Sequence, residues 1–595
     1  MIGCLANLNQ TIDVVTHRRA IKVRHPGRRT AALIGGLVVL YAVAAPAAEI
    51  FQDGNAAIRW DNTLKYSAAF RLNNPDPALI ADPNGDDGDR NFRAGVISDR
   101  VDLLSELGFR AGSFGMEASA AAWYDTVYNA GTDNTSPATF NPTSVPYDQF
   151  TAAVRRLHGR DAELLNAYMY DTFTVADMPL AVRIGRSNLL WGESLFFASN
   201  GIAAGQAPVD EIKALSVPGS EAKEVYMPVG QAWVSLQPRP GIAIEAYYQF
   251  EWRKDRLPGA GSYFSAADFL DAGGERVIVG PNQFFSRSPD QGASNSGQYG
   301  LAARFTNDSG DYGLYALRFS AKEPQIYLRL GPYNGGTAAA AGIPAIAAAS
   351  SDVEHQSLYG YTPGSIVGSP SSPLPAAFYG LYGDAATGQV GTYNLVYPRG
   401  IELYGASFSG YLGNATVAGE ISGRRNMPLV SNPLVLLPNV VADGDNSPRY
   451  AVGDTLHAQV STVVVLPQST LWKGATFAAE IAANHRLDIT LNPTALDPTR
   501  TRTAVSMRLA FEPQYFAVLP GLDLTVPIGF GYGVAGRSSV DQSQNAKAGD
   551  FEIGLSATYR TVWTGQVSFT HFIGAVKIQP FADRDFISIS VQRTF

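Results

Sequence analysis

Five oxygen-bearing side chains crowd one short stretch, "DPNGDDGD": Asp82, Asn84, Asp86, Asp87 and Asp89. Carboxylate and amide oxygens at that density are what a calcium loop presents, because Ca2+ takes roughly six to eight oxygen ligands. The local pattern departs from such a loop at two places. Asp87 stands where the sharp turn needs Gly, and Arg93 stands where the bidentate Glu belongs. The stretch therefore reads as a solvated acidic loop. Five histidines follow residue 47, His158, His355, His457, His485 and His571, and none stands at metal-ligand spacing from another. Ser187 and Ser194 in "GRSNLLWGESLFF" offer hydroxyls, but no base lies near them in sequence and no G-x-S-x-G occurs. The expectation is a protein that is not an enzyme and needs no cofactor and no metal. In the same stretch Trp191 and Glu193 flank Gly192, an aromatic and a carboxylate on a short turn, which suits a gate.

The elements that must position these residues are strands. "AIRWDNTLKYSAAFRL" puts Ile58, Trp60, Leu64, Tyr66, Ala68, Phe70 and Leu72 on one face, and Arg59, Asp61, Thr63, Lys65, Ser67 and Arg71 on the other. "GIAIEAYYQFEW", "GLDLTVPIGFGY", "FEIGLSATYR" and the final "FISISVQRTF" alternate in the same way. A period of two is the strand period. Pro527 on the polar face of its segment predicts a bulge or a gap in the ladder.

About 18 such segments recur, most of them long enough to cross a hydrocarbon core at the tilt of a barrel, which takes ~9–11 residues. Their connections alternate. Short ones (112–113, 176–178, 238–240, 307–310, 412–414, 467–472) separate long ones (73–97, 129–162, 188–224, 254–296, 322–401, 424–449). The expected fold is an all-β transmembrane antiparallel β-barrel of about 18 strands, in the range of roughly 16–20, with long extracellular loops and short periplasmic turns. Closure leaves no free strand edge in lipid. Gly and aromatics are plentiful (59 Gly, 28 Tyr, 29 Phe, 7 Trp) and 16% of residues are charged, proportions that suit strands joined by turns.

The N-terminal 47 residues read as a signal peptide. A basic stretch (Arg18 to Arg29) precedes the apolar run Ala31–Ala45 and the small residues Ala45, Pro46, Ala47 and Ala48. Its removal takes away six of the 45 Lys+Arg and one of the 53 Asp+Glu, so the remainder is more acidic than the whole-chain net charge of −8 and nucleic acid is not an expected partner. The single cysteine, Cys4, leaves with it, and no disulfide or thiol chemistry is expected. Residues 48–595 then form one barrel domain in the bacterial outer membrane. The terminal Phe595 resembles the C-terminal signal by which outer-membrane barrels meet their assembly machinery.

Alternation assigns the polar face to the lumen. Arg59, Lys65, Arg100, Asp102, Glu106, Glu245, Glu251, Arg304, Arg318, Arg508, Glu512, Glu552 and Arg560 are expected to point inward, both signs together, as ion pairs bracing the wall. Arg71, Arg110, Glu480 and Arg486 share that expectation. The first strand starts too soon after residue 47 for a plug domain. Residues 322–401 hold "GGTAAAAGIPAIAAAS" and "SPLPAAFYGLYGDAA", poor in charge and rich in Ala, Gly, Pro and aromatics. A loop of that length and composition is expected to have a job, either lining the lumen with apolar surface or capping it.

Four stretches in order, "DDGDRNFRAGVISDRVDLLSELGF", "GRSNLLWGESLFFASNGI", "PGSEAKEVYMP" and "YYQFEWRKDRLPGAGSYFSAADFL", resemble an uncharacterised outer-membrane family, domain of unknown function 1302. The resemblance implies an exported barrel. It also implies a setting beside a periplasmic carrier and an inner-membrane pump of the resistance-nodulation-division type, and hence traffic in hydrophobic small molecules or lipids. It supplies no functional residues. The alternative from the mixed-charge lumen face is a water-filled porin for polar solutes.

Overall fold

A computed structural model describes residues 48–218, 220, 222–334 and 380–595. The expected signal peptide and the centre of the long apolar loop lie outside the described residues. The barrel strands are β1 (Ala56–Arg71), β2 (Gly95–Ala111), β3 (Phe114–Asp125), β4 (Arg160–Val175), β5 (Met178–Ser187) and β6 (Val229–Arg239). They continue as β7 (Ile242–Gln249), β8 (Gln298–Asn307), β9 (Gly310–Phe319), β10 (Ile401–Leu412), β11 (Ala415–Pro428) and β12 (Val452–Leu466). The rest are β13 (Gly474–Leu491), β14 (Thr503–Leu519), β15 (Leu522–Thr525 and Ile528–Ala535), β16 (Gly549–Tyr559), β17 (Trp563–Ile573) and β18 (Phe586–Thr594). Each pairs antiparallel with its sequence neighbours, and β18 closes on β1 in the register Thr594↔Thr63 to Phe586↔Arg71. Phe595 and Asn62 exchange backbone hydrogen bonds at 2.9 Å, extending that seam. The ring is a closed 18-stranded transmembrane barrel, and its staves coincide with the 18 alternating segments.

Burial follows alternation with the faces inverted relative to a soluble protein. Leu107, Leu164, Leu301, Leu314, Phe408, Ile481 and Leu555 are exposed on the outer wall, while Lys65, Arg100, Glu245, Glu420, Glu480 and Arg508 are buried inside. An apolar belt of this extent is stable only against lipid. Pro527 makes the expected gap: β15 breaks at Val526-Pro527, where the Val526 N–H donates to the Pro513 carbonyl and the Gly554 N–H to the Pro527 carbonyl. At the short-turn end, Ala176 and Asp177 both have positive φ (49° and 64°), which matches the twist of the flanking strands. Arg560 and Thr561 form the same kind of turn (φ 50° and 62°).

At the other end the long connections pack on one another. A second sheet of five short strands runs in the order Leu434–Leu436, Gln325–Leu330, Gln389–Val396, Gln283–Arg287 and Arg276–Gly280. Phe269, Val277, Phe285, Leu328 and Tyr393 form its core. The described flanks of the 322–401 loop belong to this sheet. Beside it Phe92, Tyr128, Phe150, Val154, Tyr263 and Phe264 from three loops cluster on the ends of the barrel strands.

The acidic stretch is a correction to the sequence reading: it is not solvated. Asn84, Asp86, Asp87 and Asp89 are all buried. Asp89 accepts from Arg71 Nη2 at 2.9 Å and from Arg584 Nη2 at 2.9 Å, and Arg71 also reaches Asp583 at 2.8 Å. Loop 72–94 is thus clamped to β1 and to loop 574–585 by charges far apart in sequence. His158 is buried nearby. Its Nε2 accepts the Gly259 N–H at 3.0 Å and its ring stacks on Tyr128 at 4.7 Å. Burial, with Arg100 and Arg256 adding repulsion, pushes its pKa down to about 3.

Two outcomes follow for the loop dome. Asp89→Asn leaves two buried guanidiniums short of a charge, and breaking such a pair costs about 3–5 kcal/mol. Hydrogen exchange of residues 76–92 should rise by more than about 100-fold while the barrel strands keep their protection. His158 is neutral when folded and protonates once exposed, so its contribution is complete above pH ~6.5 and is lost as pH falls toward its folded value. Opening of loops 126–159 and 250–274 should rise by up to about ten-fold per pH unit below that point, and this part of the pH dependence should vanish in His158→Gln.

Candidate functional site

The connection between β5 and β6 touches the dome, where the Glu211 N–H donates to the Arg256 carbonyl at 3.0 Å and Leu215 packs against the Phe92–Tyr263 cluster, but it does not stay there. Residues 188–228 turn into the barrel and cross it. The sequence there does not alternate. It supplies glycines, amides and short helical turns (Ile202–Gly205, Glu211–Ser216, Ala222–Val225). Its backbone N–H groups have no ladder to join, and a buried N–H must find an acceptor. The barrel wall provides acceptors from its inward rows.

Glu420 on β11 accepts the Glu193 N–H at 2.7 Å and the Ile202 N–H at 2.8 Å. Glu480 on β13 accepts the N–H groups of Leu195, at 3.1 Å, of Phe196, and of Phe197, at 2.9 Å. Arg424 donates to the carbonyls of Asn200 and Gly201 at 2.7 and 2.9 Å. His457 and Asn484 hold the Asn200 side chain. The approach needs glycine. A Cβ on Gly201 would stand 2.6 Å from the Glu420 carboxylate, and Gly192 has φ +93° against the same group.

Trp191 anchors the segment on the opposite flank. It is 2% exposed. Its indole N–H donates to Glu245 on β7 at 2.9 Å, and Trp233 donates to the same oxygen at 3.2 Å. The ring packs on Tyr247 and Tyr315, within a cluster that includes Ile202, Leu317, Phe319, Ile401 and Leu403. Trp191 is therefore a lumen residue. Glu193 faces Arg304 on β8 and Ser409 on β10. Farther along, Glu224 reaches Lys65 of β1 at 3.5 Å, beside the Arg100–Asp102 pair of β2 at 2.7 Å. Strands β1 and β2 lie across the ring from β10 and β11, so the segment spans the lumen from wall to wall.

The other inward expectations divide. Arg508 pairs with Asp550 at 2.9 Å, and Glu512 and Glu552 share that inner wall. Glu106 and Arg59 lie on inner rows near the short-turn end, and Arg59 pairs with Asp61 at 2.6 Å. Three are corrected. Arg318 shares the outward row of Tyr312 and Leu314, and its guanidinium donates to the Gly297 carbonyl at the strand end. The inward row of β9 there is Tyr315, Leu317 and Phe319, so this stave is apolar on both faces and Arg318 interrupts its outward row. Glu251 lies past β7, where the Phe250 and Glu251 N–H groups both point at the Gly230 carbonyl. That bulge takes Glu251 out of alternation and onto Arg186 at 2.8 Å, in the outward row of Ile184. Arg560 sits in its turn and stacks on Tyr559 at 4.8 Å.

Glu420, Arg424, His457 and Asn484 were missed as site residues by sequence reasoning. Parity alone puts Glu420 inward, in "AGEISG", but nothing local indicates that its partners are backbone groups of another loop. The carboxylate clasps give a direct expectation. Hydrogen bonds to a charged acceptor contribute about 1.5–3 kcal/mol each. Glu420→Gln with Glu480→Gln should raise hydrogen exchange at residues 193–203 by at least about 30-fold, with the heat-modifiable mobility of the folded barrel retained.

Among solved structures the chain is similar to Pseudomonas aeruginosa OpdK with vanillate (9% identity, 90% of this chain and 98% of that one, TM-score 0.37). It is also similar to Acinetobacter baumannii OccAB4 (9%, 91% and 99%, 0.38) and to a BenF-like porin from Pseudomonas fluorescens Pf-5 (8%, 90% and 98%, 0.38). Likenesses this loose carry no weight beside the strand register of the chain itself. No curated protein matches it. The model of the family described as "Protein of unknown function (DUF1302)" matches residues 28–595, and the chain, with its inward-folded 188–228 segment, belongs to that family.

Proposed function

We propose that this protein is a non-enzymatic outer-membrane channel whose passage is set by segment 188–228. The observation that carries the reading is the clasp of that segment, at mid-barrel, by Glu420, Glu480 and Glu245 from three separate staves. An open diffusion pore has no use for a segment held across its bore. A channel that admits one class of solute does, since a narrow, fixed constriction converts shape and charge into selectivity. The apolar outer wall supports residence in lipid, and the long-loop end supports the usual orientation with short turns in the periplasm. The assembly machinery of that membrane is the partner expected during biogenesis.

The cargo we assign first is hydrophobic: small molecules or lipids passed on with a periplasmic carrier and an inner-membrane pump of the resistance-nodulation-division type. Its support is the family setting, the apolar composition of residues 322–401, and the apolar inner strip of Leu317, Phe319, Ile401 and Leu403. A second reading, a porin for polar solutes, is favoured by a different observation. The lumen cations and carboxylates Lys65, Arg100, Asp102, Arg508 and Asp550 line the other walls in pairs. Planar-bilayer conductance separates the two. Folded wild-type protein that is silent in simple salt, and that conducts once Glu420→Gln and Glu480→Gln release the segment, supports a gated conduit. A steady wild-type conductance would transfer the assignment to the polar porin.

A further inference from the structure

Three carboxylates from two loops converge inside the dome, away from the lumen. Asp86 and Asp87 lie at the start of the short helix Asp87–Arg90, and Asp268 comes from loop 250–297. One oxygen of each lies within 4.8 Å of the other two, and all three residues are at most 1% exposed. Gly88 permits the meeting: a Cβ there would stand 2.8 Å from the Ser262 carbonyl oxygen and 2.9 Å from that of Ser265.

The local countercharge is incomplete. Arg90 holds one oxygen of Asp86. Arg71 and Arg584 are committed to Asp89. Arg276, near Asp87, donates to the Phe140 carbonyl. Asp87 accepts only neutral donors, the Asn134 side chain and the Asn141 N–H, each at 3.1 Å. Asp268 Oδ2 accepts the Asp87 N–H at 2.9 Å. That leaves Asp268 Oδ1 and Asn141 Oδ1 buried with no hydrogen-bond donor among the described residues, while Asp86, beyond Arg90, has only the Thr139 hydroxyl beside it. Buried carboxylate oxygens facing one another without donors are costly unless a proton or a cation sits between them.

We propose that Asp86, Asp87 and Asp268 bind a calcium ion that fastens loop 72–94 to loop 250–297, with Asn141 supplying a neutral oxygen. The donor set decides the metal. It is all oxygen, which disfavours zinc. It is also irregular and rich in carboxylate, which suits the flexible coordination of calcium over the strict octahedron of magnesium. The sequence pattern hid the site because its third carboxylate arrives from a loop 181 residues away.

The test uses the full chain, folded in detergent and freed of metal with a chelator. Calcium chloride is titrated by calorimetry, and hydrogen exchange of residues 82–91 and 262–270 is followed with calcium or chelator. The expected result is one calcium per chain, with Kd on the order of 10⁻⁴–10⁻³ M as in extracellular modules. At about ten times Kd, protection of both segments should rise by about ten-fold. Asp268→Asn should abolish the response while heat-modifiable mobility shows an intact barrel, and Asp445→Asn, an exposed loop acid, should leave it unchanged. Absence of saturable binding to wild-type protein, with identical exchange in calcium and chelator, overturns the proposal without need of any variant. A calcium response that survives intact in a folded Asp268→Asn overturns it as well.

Discussion

Everything in this molecule depends on one demand: a backbone N–H or C=O in hydrocarbon must be bonded to another backbone group. A sheet meets that demand only by closing on itself. The seam between β18 and β1 removes the last two free edges. Once the ring is closed, the outer side chains face lipid and must be apolar. The inner ones are left with a space to fill and polar groups to satisfy. The alternation of each stave, the belt outside and the ion pairs inside are consequences of that closure.

The same rule governs the interior. Segment 188–228 is irregular backbone at membrane depth, which is tolerated only where protein surrounds it. Its N–H groups are satisfied by carboxylates of the wall in place of a strand partner. The clasp explains why a stretch containing Gly192 and Gly201 lies between Trp191 and Ile202. The glycines let the chain touch Glu420, while the two large side chains fill the apolar strip of β9 and β10. A wall held this way is rigid around the segment, and loosening one carboxylate frees several backbone groups together. That cooperativity is what the proposed gate requires.

The strand pattern was legible because it is written in neighbouring residues. Ser588 and Ser590 against Ile587 and Ile589 announce a stave wherever they occur. The exceptions have local causes that parity does not contain. Arg318 lies at a strand end where a long side chain can turn back to a carbonyl from the outer row. Glu251 follows a bulge, and Arg560 sits in a left-handed turn. The acidic stretch was misjudged for a different reason. Composition describes how a segment meets water, and this one is covered by other loops.

The sequence by itself determined the barrel: its class, its strand number, most of its inner and outer rows, the gap at Pro527 and the alternation of short and long connections. Those properties follow from a period of two and from turn chemistry, which act over a few residues. Only the tertiary structure decided what fills the barrel and what holds its dome. Glu480 meets the Leu195 N–H across 285 positions, and Arg584 meets Asp89 across 495. No local propensity encodes such contacts, because they exist only after the ring has closed and brought opposite walls within reach of one segment.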